Sequence, residues 1–193
     1  MTVTTAAAAT ASPVGRRRRI RAMAIALLLA ALLGSAAAYA AVRLVRPEPL
    51  ALPVDAPTEL PATDVAAAAK LVGHDVYGVA TPPGARLELT RGSRGEVWVR
   101  YLHGGAKAGD RRPAFLTVGT YRRPGALAAL RAAAKGERMR TAALPGGAML
   151  WSRDRPTSVY LARPGGDLLV EVYSPDARQA RGLVRGGAVL PLR

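Results

Sequence analysis

Between Ala22 and Val42 the chain runs 21 residues without a charged side chain, and five arginines, Arg16 to Arg19 and Arg21, stand directly before it. As a helix rising 1.5 Å per residue, that stretch is about 31 Å long, which matches a hydrocarbon core of about 30 Å. Arginines on the N-terminal flank keep that end in the cytoplasm, so whatever follows is translocated. Arg19 and Arg21 on one side, and Arg43 and Arg46 on the other, are placed to anchor the helix at the two interfaces by snorkelling. The expected organisation is a cytoplasmic basic tail (1–21), a transmembrane signal-anchor helix (22–42), a Pro-rich linker (43–62) and an extracytoplasmic domain (63–193). The expected location is the plasma membrane, crossed once. A cleaved signal peptide is the rival reading. Met23 to Leu33 has the length of an h-region, Ala38-Tyr39-Ala40 supplies an A-x-A site, and Arg17-Arg18-Arg19-Ile20 loosely matches a twin-arginine signal. Both readings put the domain outside the cytoplasm.

The roughly 130 residues beyond the linker suffice for one core and not for two domains. No cysteine occurs, which excludes disulfides, thiolate metal sites, cysteine nucleophiles and lipidation at an N-terminal cysteine. The formal net charge is +15, and the part from Pro47 onward holds 18 Arg and 3 Lys against 13 acids. Arginine outnumbers lysine 25 to 3 over the chain, a bias that GC-rich coding also produces. Compositional drift and attraction to anionic lipid or wall polymer are therefore both open.

Prolines in the stretch from Arg46 to Pro53 favour an extended, semi-rigid spacer. Thr63 or Asp64 is suited to cap a short helix through Val65 to Leu71, ended by Gly73. The pattern then changes to alternation. Ala85–Thr90 and Glu96–Leu102 read as a hairpin around Arg91-Gly92-Ser93-Arg94-Gly95, with Val97, Val99 and Tyr101 on one face and Trp98, Arg100 and Leu102 on the other. A Gly-containing loop from Gly104 to Pro113 precedes a strand, Ala114–Tyr121. Pro124 opens a helix with Leu127, Leu130 and Ala134 on one face, ending at Gly136. Strands follow at Met139–Ala143, Ala148–Arg153, Thr157–Ala162 and Asp167–Tyr173. A last helix begins at Ser174-Pro175-Asp176, with Ser174 as cap, and ends at Gly186-Gly187. Ala188–Leu192 adds a final strand. Strands joined in hairpins imply the α+β class: an antiparallel sheet with two to three helices packed on it, preceded by one transmembrane helix.

Several of these features together resemble a family of single-pass membrane-anchored proteins of unknown function from high-GC Gram-positive bacteria. They are the Arg-rich tail, the apolar helix ending near Arg46-Pro47, the Pro83-Gly84-Ala85-Arg86 strand start, the Val99-Arg100-Tyr101 strand, and Gly146-Gly147 with nearby Trp151. The outer domain also resembles the Mog1/PsbP-type α+β fold. The resemblance implies no activity.

No catalytic, cofactor or metal site emerges. His103-Gly104-Gly105 has the look of an oxyanion loop, but no G-x-S-x-G elbow accompanies it. His74 and His103 are too few to hold zinc without cysteine. Gly104 to Gly109 carries Lys107 but lacks the G-K-[ST] ending of a phosphate loop. Glu88, Glu96 and Glu171 alternate with apolar neighbours as on a solvated sheet face, so no acid pair for glycoside hydrolysis is read from them. Trp98 with Arg100 invites a comparison with stacking platforms for nucleic acid, but one strand face packed as core gives the same pattern, and no nucleic-acid partner is expected. For contact with an anionic surface the candidates are Arg111 and Arg112 before the third strand, and Arg122 and Arg123 after it. About eight residues of strand separate the pairs, some 27 Å, so they belong to a broad field and not to one compact pocket.

The expectation is a membrane-tethered, non-enzymatic extracytoplasmic domain that binds an envelope protein, anionic lipid or wall polymer, without a cofactor. An envelope hydrolase and a secreted domain released by cleavage are the alternatives. On intact cells, a cysteine placed at Ser93 is predicted to react with a membrane-impermeant thiol reagent, and one at Ser12 to stay unlabelled; the reverse pattern contradicts the topology.

Overall fold

The computed structural model describes residues 50–193. The expected tail, the segment 22–42 and the anchors Arg19, Arg21, Arg43 and Arg46 lie outside the described residues. Among the described residues no helix is long and apolar enough to cross a membrane.

The elements run β1 (Thr58–Leu60), α1 (Ala62–Lys70), β2 (Tyr77–Gly78), β3 (Arg86–Arg91), β4 (Val97–Leu102), β5 (Leu116–Arg122) and α2 (Ala126–Ala133). Then come β6 (Met139–Leu144), β7 (Gly147–Ser152), β8 (Ser158–Ala162), β9 (Leu168–Tyr173), α3 (Ala177–Arg185) and β10 (Leu190–Pro191). Eight strands form one antiparallel sheet in the order β1-β3-β4-β5-β9-β8-β7-β6, and β10 pairs with β2 in a small second sheet. The expected α+β arrangement, an antiparallel sheet with helices packed on it, is thus present with three helices. Two meanders, β3-β4-β5 and β6-β7-β8-β9, meet where β5 pairs with β9 from Thr117↔Tyr173 to Arg122↔Leu168.

Pleating sends alternate residues to opposite faces. One face carries Leu87 and Leu89, then Val97, Val99 and Tyr101, Val118, Val170 and Val172, Val159 and Leu161, and Met149, all buried. Val65, Ala68 and Ala69 of α1, Ala180 and Val184 of α3, and Val76, Val79 and Val189 around the small sheet close over it as a single core. On the other face α2 buries Ala126 and Leu130 against Leu150 and Ala162, covering only the β7–β9 side. Leu102, Ala106 and Phe115 make a separate cluster beneath the Gly104–Pro113 loop.

Several boundaries differ from the sequence reading for identifiable reasons. The expected linker 43–62 is partly domain, because β1 pairs with β3 and both Leu52 and Leu60 enter the core. Prolines at 53, 57 and 61 suit such an edge, where missing N–H groups cost little and discourage further pairing. Helix α1 starts at Ala62 after Pro61 and has no side-chain cap, so neither Thr63 nor Asp64 caps it; Asp64 lies in its first turn. Gly125, with φ 66, is the N-cap of α2, which puts Pro124 one residue outside the helix instead of at its first position. In α3 the cap is Asp176, which accepts from the Arg178 N–H at 2.8 Å; Ser174 is buried and its hydroxyl accepts from the Asp176 N–H at 3.1 Å.

Strand β2 was not foreseen. It pairs with β10, its Tyr77 N–H donates to the Thr120 hydroxyl at 3.0 Å, and a buried phenol fixes the residue after it: Tyr101 Oη accepts from the Val79 N–H at 2.6 Å and donates to the Val79 carbonyl at 3.0 Å. Burial pushes this phenol up to about 12, so it stays a neutral donor. Tyr101→Phe leaves both Val79 groups unpaired inside the protein and is predicted to lower the unfolding free energy by about 1–3 kcal/mol in urea titrations.

Candidate functional site

With α2 over one side of the second sheet face and the Gly104–Pro113 loop over one end, the described residues leave the middle of that face uncovered. Thr90 of β3, Trp98 and Arg100 of β4, Thr117, Gly119 and Tyr121 of β5, and Glu171 and Tyr173 of β9 all point to it by register. The loop end of this surface is a groove of about 440 Å³, bordered by Glu88, Trp98, Arg100, Arg111, Arg112 and Tyr173. It continues over Trp98, Gly119, Tyr121 and Glu171. Beyond Tyr121 lies a basin lined by Arg94, Glu96, Arg122 and Arg123. Each hollow shares residues with the next, so the open face forms one trough that follows β5.

Two side-chain networks build the floor. Glu88 is only 1% exposed, not on a solvated face as its alternation with Leu87 and Leu89 implied. Arg100 donates to it at 2.9 Å from the adjacent strand, and the Gly109 N–H donates to its other oxygen at 2.6 Å. The Arg100 guanidinium also donates to the Asp110 carbonyl and lies 5.1 Å from the Phe115 ring centre. Burial of a carboxylate is tolerable only with such partners. The ion pair therefore fixes the loop over the groove.

The second network is aromatic. The Trp98 indole N–H donates to Tyr121 Oη at 3.0 Å; Tyr121 and Tyr160 donate to the two oxygens of Glu171 at 2.9 and 3.1 Å. The Trp98 and Tyr121 rings meet edge to face with centres 6.1 Å apart. Gly119 permits this, since a Cβ there would come within 2.8 Å of Tyr121 Oη. Burial, and next the Glu171 charge, raises the phenols of Tyr121 and Tyr160 above their ordinary value, so both remain donors. Glu96 lies in the turn before β4, not on a strand, and takes two hydrogen bonds from Arg94.

Of the arginine candidates, Arg111 and Arg112 stand at the loop end of the trough and Arg123 at the basin end, while the register turns the Arg122 side chain to the core face. Arg112 forks onto Asp110, with the closest ion-pair contact at 2.6 Å, and its guanidinium lies 5.8 Å from the Phe115 ring centre. Arg111 is exposed beside it. Arg122, the last residue of β5, donates to the Gly73 carbonyl at 2.9 Å, while exposed Arg123 follows. His103 is exposed and packs edge-on against Phe115; His74 has ring nitrogens 2.8 Å from the Asp75 and Gly95 carbonyls. No cluster of three metal-ligating side chains occurs among the described residues. Comparison with family models, curated proteins and solved structures finds no match for this chain.

Sequence reading missed Glu88 and the trough. The readable signal was hairpin register: with the turn centred near Arg94, Glu88 falls opposite Arg100.

The networks carry two predictions. Removing Arg100 strands a carboxylate that is 1% exposed, so Arg100→Leu is predicted to cost about 3 kcal/mol or more in denaturant unfolding. The double variant Glu88→Leu/Arg100→Leu is predicted to regain much of that loss, because no charge is then buried alone. The Arg112 side chain, bonded to Asp110, holds that carboxyl down to about 2. A lowered folded value means that the ionised aspartate supports the loop fully above the ordinary carboxylate range, and that this support fades as pH falls through about 2. An NMR titration of Asp110 is predicted to show that low midpoint in the native protein and a return toward the ordinary range in Arg112→Gln.

Proposed function

We propose that this chain is a single-pass, membrane-tethered protein of the kind it resembles among high-GC Gram-positive bacteria. In this reading its N-terminus is cytoplasmic, and its α+β domain lies outside the membrane and works as a non-enzymatic binding module. The observation that carries the proposal is the uncovered trough, with Trp98, Tyr121 and Tyr173 along it and arginines at both ends. Aromatic side chains with arginines are the composition of protein surfaces that hold partners. The carboxylates of this face support binding over catalysis. Glu88 is engaged by Arg100 and a backbone N–H, and Glu171 by two phenols, so each is consumed in holding the floor together.

An envelope protein segment or an anionic wall polymer lying along β5 would meet Arg111 and Arg112 at one end and Arg123 at the other, with Arg122 turned by the register to the opposite face, where it bonds the Gly73 carbonyl. Separate ends suit an extended partner better than a small molecule. Exposed cations lose reach as salt shortens the Debye length from about 10 Å at 0.1 M to about 3 Å at 1 M.

The test is photocrosslinking in the native membrane. A benzophenone residue at Thr117, on the trough floor, is predicted to capture a partner; one at Arg178, exposed on α3 across the sheet, is predicted not to. Replacing Arg111, Arg112, Arg122 and Arg123 with glutamine is predicted to weaken the capture, as is raising salt. Equal capture from both sites, or capture indifferent to salt and to the four arginines, contradicts the proposal.

A further inference from the structure

Beside the trough, α2 does not seal against the sheet. Its inward positions are mostly alanine, and a crevice of about 250 Å³ remains between Ala126, Ala129, Leu130 and Ala133 on the helix and Leu150, Tyr160 and Leu169 on the strands, with Met139 also lining it. The lining is apolar apart from the Tyr160 hydroxyl, which is committed to Glu171, and one charged residue, Arg123. Arg123 and Leu169 also line the neighbouring basin of about 370 Å³ that holds Arg94, Arg122 and Glu96. The crevice and the basin are thus joined. The crevice alone is smaller than the roughly 300–1,000 Å³ of ordinary ligand pockets, and it reaches that class only together with the basin.

The basin is basic: three arginines stand against Glu96, and Glu96 is paired with Arg94 at 2.9 Å. Arg122 is turned to the Gly73 carbonyl. Arg123 is exposed, its backbone N–H donates to the Asp167 carbonyl at 2.7 Å, and its guanidinium forms no ion pair among the described residues. A cation without a partner at the junction of an apolar slot and a basic hollow matches one ligand chemistry.

We propose that this composite site binds a single-chain anionic amphiphile, with its acyl chain between α2 and the sheet and its carboxylate or phosphate head in the basin on Arg123. The chain end gains from leaving water, at about 0.8 kcal/mol per buried methylene. The head gains a charge-assisted hydrogen bond from Arg123, whose guanidinium is in no ion pair among the described residues although Glu96 and Asp167 stand nearby. The narrow slot admits one chain; it is not a protruding patch that would lie on a bilayer. The basin is also the far end of the trough, so an amphiphile head on Arg123 and a partner that reaches that end share this residue; the slot between α2 and the sheet has no other residue in common with the trough except Leu169.

The full-length protein in its native membrane is treated with a fatty acid that carries a mid-chain diazirine, and with the matching fatty alcohol, and adducts are located by peptide mass spectrometry. The acid is predicted to mark residues 126–133 together with Met139 or Leu150, and the alcohol to mark them roughly three- to tenfold less. Arg123→Gln is predicted to bring labelling by the acid down to the level of the alcohol. Ala129→Phe, which fills the crevice, is predicted to abolish these adducts and to leave those elsewhere. If the phenylalanine unfolds the domain, Arg123→Gln decides alone, since that side chain is exposed. Equal labelling by acid and alcohol, or labelling unchanged in Arg123→Gln, overturns the proposal. Adducts confined to the solvent-facing Ala128 and Arg131 also overturn it and point to a bilayer contact instead.

Discussion

Pairing of β5 with β9 is the contact on which the rest of this domain depends. The two strands are about fifty residues apart in sequence, and they join two meanders that would otherwise be separate four-stranded sheets counting β1. Their junction places Val118 and Thr120 beside Val172 and Val170 at the centre of the buried face. Only the joined sheet is broad enough for α1, α3 and the small β2–β10 sheet to lie over it as one core. Such a non-local pairing is costly in loop entropy and forms late unless the hairpins beside it are already stable. Here both flanking meanders are local.

The junction also has a consequence on the opposite face. Among the described residues, two helices and the small sheet cover the first face, and only α2 and a glycine-rich loop lie over the second. The described residues therefore leave the middle of that face open, and the residues there are ones that tolerate water: Thr90, Thr117, Tyr121 and Tyr173 with Trp98 and Arg100. What keeps them ordered is hydrogen bonding across strands, from Trp98 through Tyr121 to Glu171, and from Arg100 to Glu88. The open surface is a product of topology, and its chemistry is a product of these pairs.

The parts of the fold that were legible in the sequence are those written in local periodicity. Leu87 and Leu89 against Val97, Val99 and Tyr101 announce a hairpin with one buried face, and Gly186-Gly187 announces the end of α3. Strands β1 and β2 were not legible. Each is only two or three residues long, and each exists because a distant partner supplies its hydrogen bonds: β3 for β1, β10 and Thr120 for β2. Glu88 was assigned to water for a similar reason. Alternation tells which face a residue takes, and it says nothing about whether a loop such as Gly104–Pro113 folds back over that face. The crevice under α2 was hidden by its own alanines, which read as good helix formers and give no sign of the space they leave.

Open topology alone does not make a binding surface; occupancy does. The most direct measurement is carbene footprinting of the chain, first in intact cells and then after purification, quantified at Trp98, Thr117 and Tyr173 and at Arg178 as a reference. If the trough is a docking surface, the three trough residues are shielded in the cells and gain labelling on purification, while Arg178 labels equally in both. Identical labelling of the trough in both states would mean that nothing lies along β5, and would contradict the account.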